Sequence, residues 1–401
     1  MSLCARAALL LPLLACATAS DDAAAKGGPP TQALTGIDVL EQEDFALLRG
    51  ARVGLLTNRT GRTRDGRRTI DALAAAPGVE LVRLFTPEHG LDSIVEGKVG
   101  DSRDGATDLP IRSLYGDSRR PAAADLEDLD WVVFDVQDVG VRFYTYSTTL
   151  LYLLEACAES GVGVVVLDRP NPIGPYGAMG PISLPEHRSF ICPDDMPVAH
   201  GLTLGEFARW QRARKELDLR LEVVPVQGWA PAQHWEETGL AWIPPSPNLR
   251  TPEAAVLYPG IGLLEATNLS VGRGTDEPFL RVGAPWLDGR ALALRLRERS
   301  LPGLVVTPIE FVPDASKFAG ETCGGIHLQV VDREAFHPVA AGLSLAEALV
   351  AVGGEAFEVS KVVERLAAPR EEAGRAALDW SPGAPLDAWW QQVQPHLLYP
   401  R

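Results

Sequence analysis

The sequence predicts an α/β protein: a Rossmann-like, largely parallel sheet domain followed by a second, smaller α+β C-terminal domain. Short runs that are apolar on both faces, at residues 131–136 and 162–167, alternate with stretches of helical spacing. Strands buried on both faces and separated by helices build parallel sheets. From about Tyr258 the pattern changes to an Arg-rich amphipathic helix, two strands and two more helices. A chain of 401 residues is also too long for one ordinary core.

The elements follow in order. Residues 1–20 carry Arg6 and then an apolar run over 7–15, the length of a signal-peptide core and too short to span a bilayer. Leu13-Leu14-Ala15-Cys16 reads as a lipobox that would leave Cys16 lipidated. Ala17-Thr18-Ala19 reads as an ordinary cleavage site before Ser20. Both readings make the chain exported, to the periplasm or cell envelope, and the first makes it lipid-anchored. No other segment reads as a membrane span. Residues 21–36, rich in Ala, Gly, Pro and Asp, read as a flexible tether.

The sheet domain is assigned to 37–255. Strands are expected at 53–56, 80–85, 111–114, 131–136, 162–167 and 219–226, with helices at 69–76, 147–160 and 202–215. The C-terminal domain is assigned to 256–401, with helices at 287–300, 345–352 and 386–393 and strands at 304–311 and 326–331. Cys157, Cys192 and Cys323 are odd in number and widely spaced, with no CxxC, so neither a disulfide framework nor a zinc signature is present. Cys157 falls on the apolar stripe of a helix and reads as buried.

Charge narrows the partners. A formal net charge of −16 repels phosphate backbones, so no nucleic-acid partner is expected. No cofactor is expected either: the first strand leads into Thr57-Asn58-Arg59-Thr60-Gly61 instead of a glycine-rich dinucleotide loop, and no Walker or G-x-S-x-G sequence is present. No ligand spacing for a metal is recognisable.

In open parallel sheets the site lies beyond the carboxyl ends of the strands. Four strands here end in polar residues: Thr57-Asn58, Thr86-Pro87-Glu88-His89, Asp135 with Asp138, and Asp168-Arg169-Pro170-Asn171. They are expected to converge on one rim. Glu88 and His89, in a tight turn after Pro87, offer an acid and a base, partial burial favouring the protonated carboxyl a general acid needs; the competing reading is a carboxylate capping backbone N–H groups. Asp135 and Asp138 could position water or bind hydroxyls, or Asp138 could pair with Arg142. Arg142 and Tyr144 combine a carboxylate-gripping fork with a sugar-stacking ring, whereas Phe143 reads as core. Thr203 and Glu206 read as a capping box, leaving His200 to point at the rim. Arg273 sits between Gly272 and Gly274 in the loop from Asn268 to Thr275, where glycine permits close approach of backbone to a ligand.

Taken in order, Thr57 to Gly61, Phe85 to Gly90, Asp135 to Tyr146, Asp168 to Pro172, His200 to Thr203, Asn268 to Thr275 and Cys323-Gly324-Gly325 resemble the NamZ-type exo-β-N-acetylmuramidases, also called YbbC-like. The resemblance covers about residues 37–401. It implies a site between the two domains and release of terminal N-acetylmuramic acid from peptidoglycan fragments. It also implies Glu88 as acid/base, with His89 and Asp135 beside it as catalytic candidates. Asn58, Asp138, Arg142, Tyr144, Asn171, His200, Arg273 and Thr275 are the substrate-binding candidates. The family usually carries Arg before the histidine of its His-Gly-Met-Thr motif; this chain has Ala199. If that arginine holds the lactyl carboxylate, Arg142 or Arg273 must replace it. The alternative is a non-catalytic envelope protein that binds wall sugars on the same surface.

Overall fold

The computed structural model describes residues 32–299, 301–367 and 384–401. The signal segment, Cys16 and most of the expected tether lie outside the described residues. The end of that tether is packed: Leu34 bridges Gln227, Ala33 is buried, and Gly36 opens α1 (Gly36–Gln42).

The larger sheet contains β1 (Arg52–Thr57), β2 (Glu80–Thr86), β3 (Ser102–Arg103), β4 (Pro110–Ser113), β5 (Trp131–Asp135), β6 (Gly163–Leu167) and β7 (Leu221–Val224), in the order β3-β4-β2-β1-β5-β6-β7. All neighbours are parallel except β3 and β4. The expected strands are therefore present, and the four with polar carboxyl ends lie side by side as β2-β1-β5-β6. Strand order reverses at β1, which puts the topological switch point between β1 and β5. Helices α2 (Thr69–Ala74), α3 (Tyr146–Ser160) and α4 (Leu204–Arg214) cover the sheet. The α4 capping box is formed, Thr203 Oγ1 accepting from the Glu206 N–H and Glu206 Oε2 from the Thr203 N–H.

The second sheet is antiparallel: β8 (Arg281–Ala284), β9 (Leu304–Phe311) and β10 (Cys323–Val330), in the order β8-β10-β9. With it come α5 (Pro252–Ile261), α6 (Gly289–Arg297), α7 (Pro338–Gly353), α8 (Val359–Leu366) and α9 (Ala384–Val393). The chain passes from one half to the other inside α5. Helices α5 and α7 cross at Gly260 and Gly342, where a Cβ on Gly342 would come within 2.4 Å of the Gly260 Cα. One hydrophobic core runs through both halves, from Leu56 and Phe85 to Leu349 and Val393.

One reading changes. α7 with its terminal turn, Pro338–Ala356, is long and apolar enough to cross a membrane by length and composition, which the sequence reading missed. Its residues Leu343, Leu345, Ala346, Ala348 and Leu349 are buried, and the helix packs on α5 and α6. Cys157, Cys192 and Cys323 are buried and unbridged.

Candidate active site

The strand ends meet on one rim, but they form two different places. One is sealed. At the switch point, Asp135 is fully buried in a two-pronged ion pair, with Arg169 Nε 2.5 Å from Oδ1 and Nη2 3.0 Å from Oδ2. Its Oδ2 also accepts the Thr69 hydroxyl, and its backbone carbonyl accepts the Thr57 hydroxyl. Asn58 is equally engaged: Oδ1 accepts from the Thr60 N–H and hydroxyl, and Nδ2 donates to the Tyr146 phenol. Asn171 donates to the Leu202 carbonyl and accepts from the Ile173 N–H. It packs against Gly140, where φ is +75° and a Cβ would fall 2.6 Å from the amide.

His200 does not point at the rim. It is fully buried, its Nδ1 accepting from the Leu202 N–H at 3.2 Å. Asp138 does not pair with Arg142. One of its oxygens accepts the Gly140 N–H at 2.7 Å and stands 3.6 Å from His200 Nε2, beyond hydrogen-bond range. The void among Asp138, Asn171 and their neighbours is about 10 Å³, too small for a sugar. Asp135, Asn58, Asn171, Asp138 and His200 thus organise the turns that carry the rim.

Arg142 is also a structural residue. Its guanidinium is 1 % exposed and donates to four carbonyls, those of Pro181, Met196, Arg365 and Leu366. The last two belong to the C-terminal turn of α8, whose carbonyls have no helical partners and favour a cation. Arg142 is therefore a clasp between the halves and has no fork left for a ligand.

The other place is open. A cavity of about 530 Å³ lies between the end of β2 and the C-terminal half, lined by Glu88, His89, Tyr144, Thr145, Tyr258, Glu265, Arg273 and Arg365 among others. Glu88 sits in the turn after β2, buried Pro87 behind it. His89, with φ +71°, and Gly90, with φ +75°, bend the chain sharply there. A left-handed backbone at a non-glycine residue stores strain, and such residues cluster at functional sites. His89 Nδ1 bonds the Val95 carbonyl at 2.8 Å, so Nδ1 carries the proton and ties the turn to the loop that presents Glu96.

Thr145 explains how Glu88 is aimed. It is the N-cap of α3, yet its hydroxyl caps nothing. It donates instead to Glu88 Oε2 at 2.7 Å. No backbone N–H bonds the carboxylate among the described residues, so the capping alternative does not hold. Burial first, and then a hydrogen bond to Glu88, raise the Tyr115 phenol above its ordinary value. Tyr144 packs edge-on to Tyr146 and Tyr258, with centroids 4.8 and 5.9 Å away. Burial raises its phenol strongly. Phe143 is buried as expected and carries the Arg365 guanidinium 4.9 Å above its ring.

Arg273 reaches the cavity, its Nη2 2.5 Å from Glu265 Oε1. The flanking glycines serve the fold more than a ligand: φ is +80° at Gly272 and +77° at Gly274, and a Cβ on Gly274 would lie 2.2 Å from the Ala315 carbonyl oxygen. Thr275 closes the same loop, donating to the Gly272 carbonyl and accepting from the Glu277 N–H, and it does not line the cavity. Ala199 is fully buried and does not line the cavity.

Glu88, His89, Tyr144 and Arg273 are the sequence candidates that meet here. Sequence reasoning missed Glu96, Tyr115, Arg119, Thr145, Glu265 and Arg365. Thr145 lay inside a quoted motif; the others are single residues in loops or an unread helix, and only the fold brings them together.

Comparison with known proteins adds the following. The model of the exo-beta-N-acetylmuramidase NamZ N-terminal region matches residues 53–253, and that of its C-terminal region matches 256–399. The chain is 38% identical over 352 residues to the peptidoglycan beta-N-acetylmuramidase NamZ of Bacillus subtilis (strain 168), covering 87% of this chain and 85% of that protein. Crystal structures of two DUF1343 family proteins from Bacteroides fragilis NCTC 9343 superpose on it. One has a TM-score of 0.83 at 32% identity, the other 0.69 at 26%; each covers 92% of this chain and 99% of its own.

Proposed function

The chain belongs to the NamZ exo-β-N-acetylmuramidase family, and from that premise we propose that it is an exo-acting glycoside hydrolase releasing terminal β-linked N-acetylmuramic acid from peptidoglycan fragments. The observation that carries the assignment to this cavity is the Glu88 carboxyl, held by the diverted Thr145 hydroxyl on the wall of a 530 Å³ space. A cavity of that size suits one sugar and part of the next.

In this reading Glu88 gives its proton to the glycosidic oxygen as the bond to the anomeric carbon breaks. Water supplies hydroxide to that carbon and returns a proton to the carboxylate. Positive charge develops on the sugar ring during the step. Glu265 is occupied by Arg273 and by Arg365, whose Nη2 is 2.8 Å away. Glu96, held by Asn248 at 2.7 Å and only loosely paired with Arg273 Nη1 at 3.6 Å, is the carboxylate that faces that charge. Tyr144 and Tyr258 supply the apolar wall. The reading of residues 1–20 as an export signal supports a location in the periplasm or cell envelope, with lipidation at Cys16 or ordinary cleavage before Ser20 as the two ways the signal is processed.

Digestion of glycan fragments tests this. Fragments ending in N-acetylmuramic acid at the non-reducing end release that monosaccharide, while fragments capped there by N-acetylglucosamine do not. Binding of both without any release would support the non-catalytic sugar-binding alternative instead.

A further inference from the structure

Three arginines line the cavity: Arg119, Arg273 and Arg365. Two are already matched, both to Glu265. Arg119 forms no ion pair or hydrogen bond among the described residues. Its guanidinium lies on an aromatic shelf instead, with Cζ 4.0 Å from the centroid of Phe190 and 5.3 Å from that of Tyr115. Phe190 is itself buried against Tyr115 and Tyr152, with centroids 5.8 and 6.0 Å away. Stacking uses the face of a guanidinium and leaves the N–H groups along its edge free, in the geometry that grips a carboxylate with two hydrogen bonds.

The electrostatic setting calls for such a group. Glu88, Glu96 and Glu265 face the same space, and the whole chain carries a formal charge of −16. An anionic ligand is repelled by both unless a cation not already neutralised receives it. Arg142 cannot, since four carbonyls hold it in the core, and position 199 is buried and does not line the cavity. Tyr115 links the two functions: its ring supports Arg119 and its phenol faces Glu88.

We propose that Arg119 is the specificity-determining residue of the cavity and grips the lactyl carboxylate of the terminal N-acetylmuramic acid. This rests on the muramidase reading above and names the group that selects the sugar. Phe190 and Tyr115 hold the guanidinium in place, so selection costs little ordering on binding.

Calorimetric titration of free N-acetylmuramic acid and free N-acetylglucosamine tests the assignment without requiring turnover. The wild-type protein is expected to favour the acid. In Arg119→Gln, affinity for the acid falls about 10- to 100-fold, the loss of a charge-assisted pair, while affinity for N-acetylglucosamine stays put. Arg119→Lys, a point charge without the fork, recovers part of the difference. Equal losses for both sugars would mean that Arg119 only supports the Phe190 shelf, and no loss for either would mean that it faces solvent; both overturn the proposal. A wild-type protein that binds neither sugar sinks the muramidase reading itself, and a failure confined to the variants sinks Arg119 alone.

Discussion

The rim of the sheet holds two polar places built from similar residues. At the switch point between β1 and β5, Asp135, Asn58, Asn171, Asp138 and His200 are all buried, and the void that Asp138 and Asn171 line is only about 10 Å³. At the end of β2, Glu88 opens onto 530 Å³ and accepts the Thr145 hydroxyl at 2.7 Å. Each place has a carboxylate beyond a strand end, and each has an imidazole near it. The difference is open volume: Asp138 Oδ1 and His200 Nε2 also lack hydrogen-bond partners, but no space for a ligand lies beside them. Asp135 has its two oxygens and its carbonyl engaged inside the protein, so it can only hold the fold. Glu88 keeps an oxygen for a substrate. A polar strand end marks a place where chemistry can be built, and unused donors and acceptors need open volume beside them to take a ligand.

Substitutions can break that contrast. The largest effect belongs to Glu88→Gln, which keeps shape and the Thr145 contact but removes the proton that the proposed step requires. Sugar release is expected to fall about 10²- to 10⁴-fold, with a melting temperature close to wild type; near-full activity would dissolve the distinction. Asp135→Ala should do the reverse. It strands the buried Arg169 charge and costs about 3–5 kcal/mol of stability in chemical denaturation, while the protein that remains folded keeps its turnover number. Loss of turnover at unchanged stability would make Asp135 catalytic after all.

Asp168 sharpens the sealed side through pH. It is buried, accepting from the Thr203 hydroxyl, the Gly205 N–H and the Tyr399 hydroxyl. Burial outweighs those bonds and raises its carboxyl from 3.8 to about 6. The folded protein therefore holds this proton more tightly than the unfolded chain. The contribution is present in full below pH 4 and is lost as pH rises through 6, by at most about 3 kcal/mol. Denaturation curves of Asp168→Asn should lack this component of the decline between pH 4 and 6. The smallest effect is Thr145→Val, which frees the Glu88 carboxylate to wander; kcat/KM is expected to drop about 3- to 10-fold, in line with one hydrogen bond, with little change in stability.

Much of the fold was legible because its strands are short apolar runs bounded by turns, and β9 matches its expected range end to end. The missed pieces have physical reasons. α5 carries Pro259 and Gly260 in its interior and reads as a break; buried packing on α7 overrides that. α7 begins at Pro338, seven residues before its apolar run becomes visible, because proline is well suited to a first helical position. The site was half legible. Glu88, His89 and Tyr144 sit beside recognisable strand or helix ends. Arg119 and Glu265 come from ordinary-looking segments, and nothing local distinguishes them from surface charge. Arg142 misled for the opposite reason: a guanidinium suited to a carboxylate is equally suited to the open carbonyls of a helix end.

The most direct test of the Glu88 cavity as the active site is a crystal structure of Glu88→Gln with a bound disaccharide carrying N-acetylmuramic acid at its non-reducing end. The account predicts the sugar in the cavity between β2 and the C-terminal half, its glycosidic oxygen within hydrogen-bond reach of the residue 88 amide. Sugar bound at the Asp138–His200 end of the rim, or in the cavity with its glycosidic bond turned away from residue 88, would contradict it.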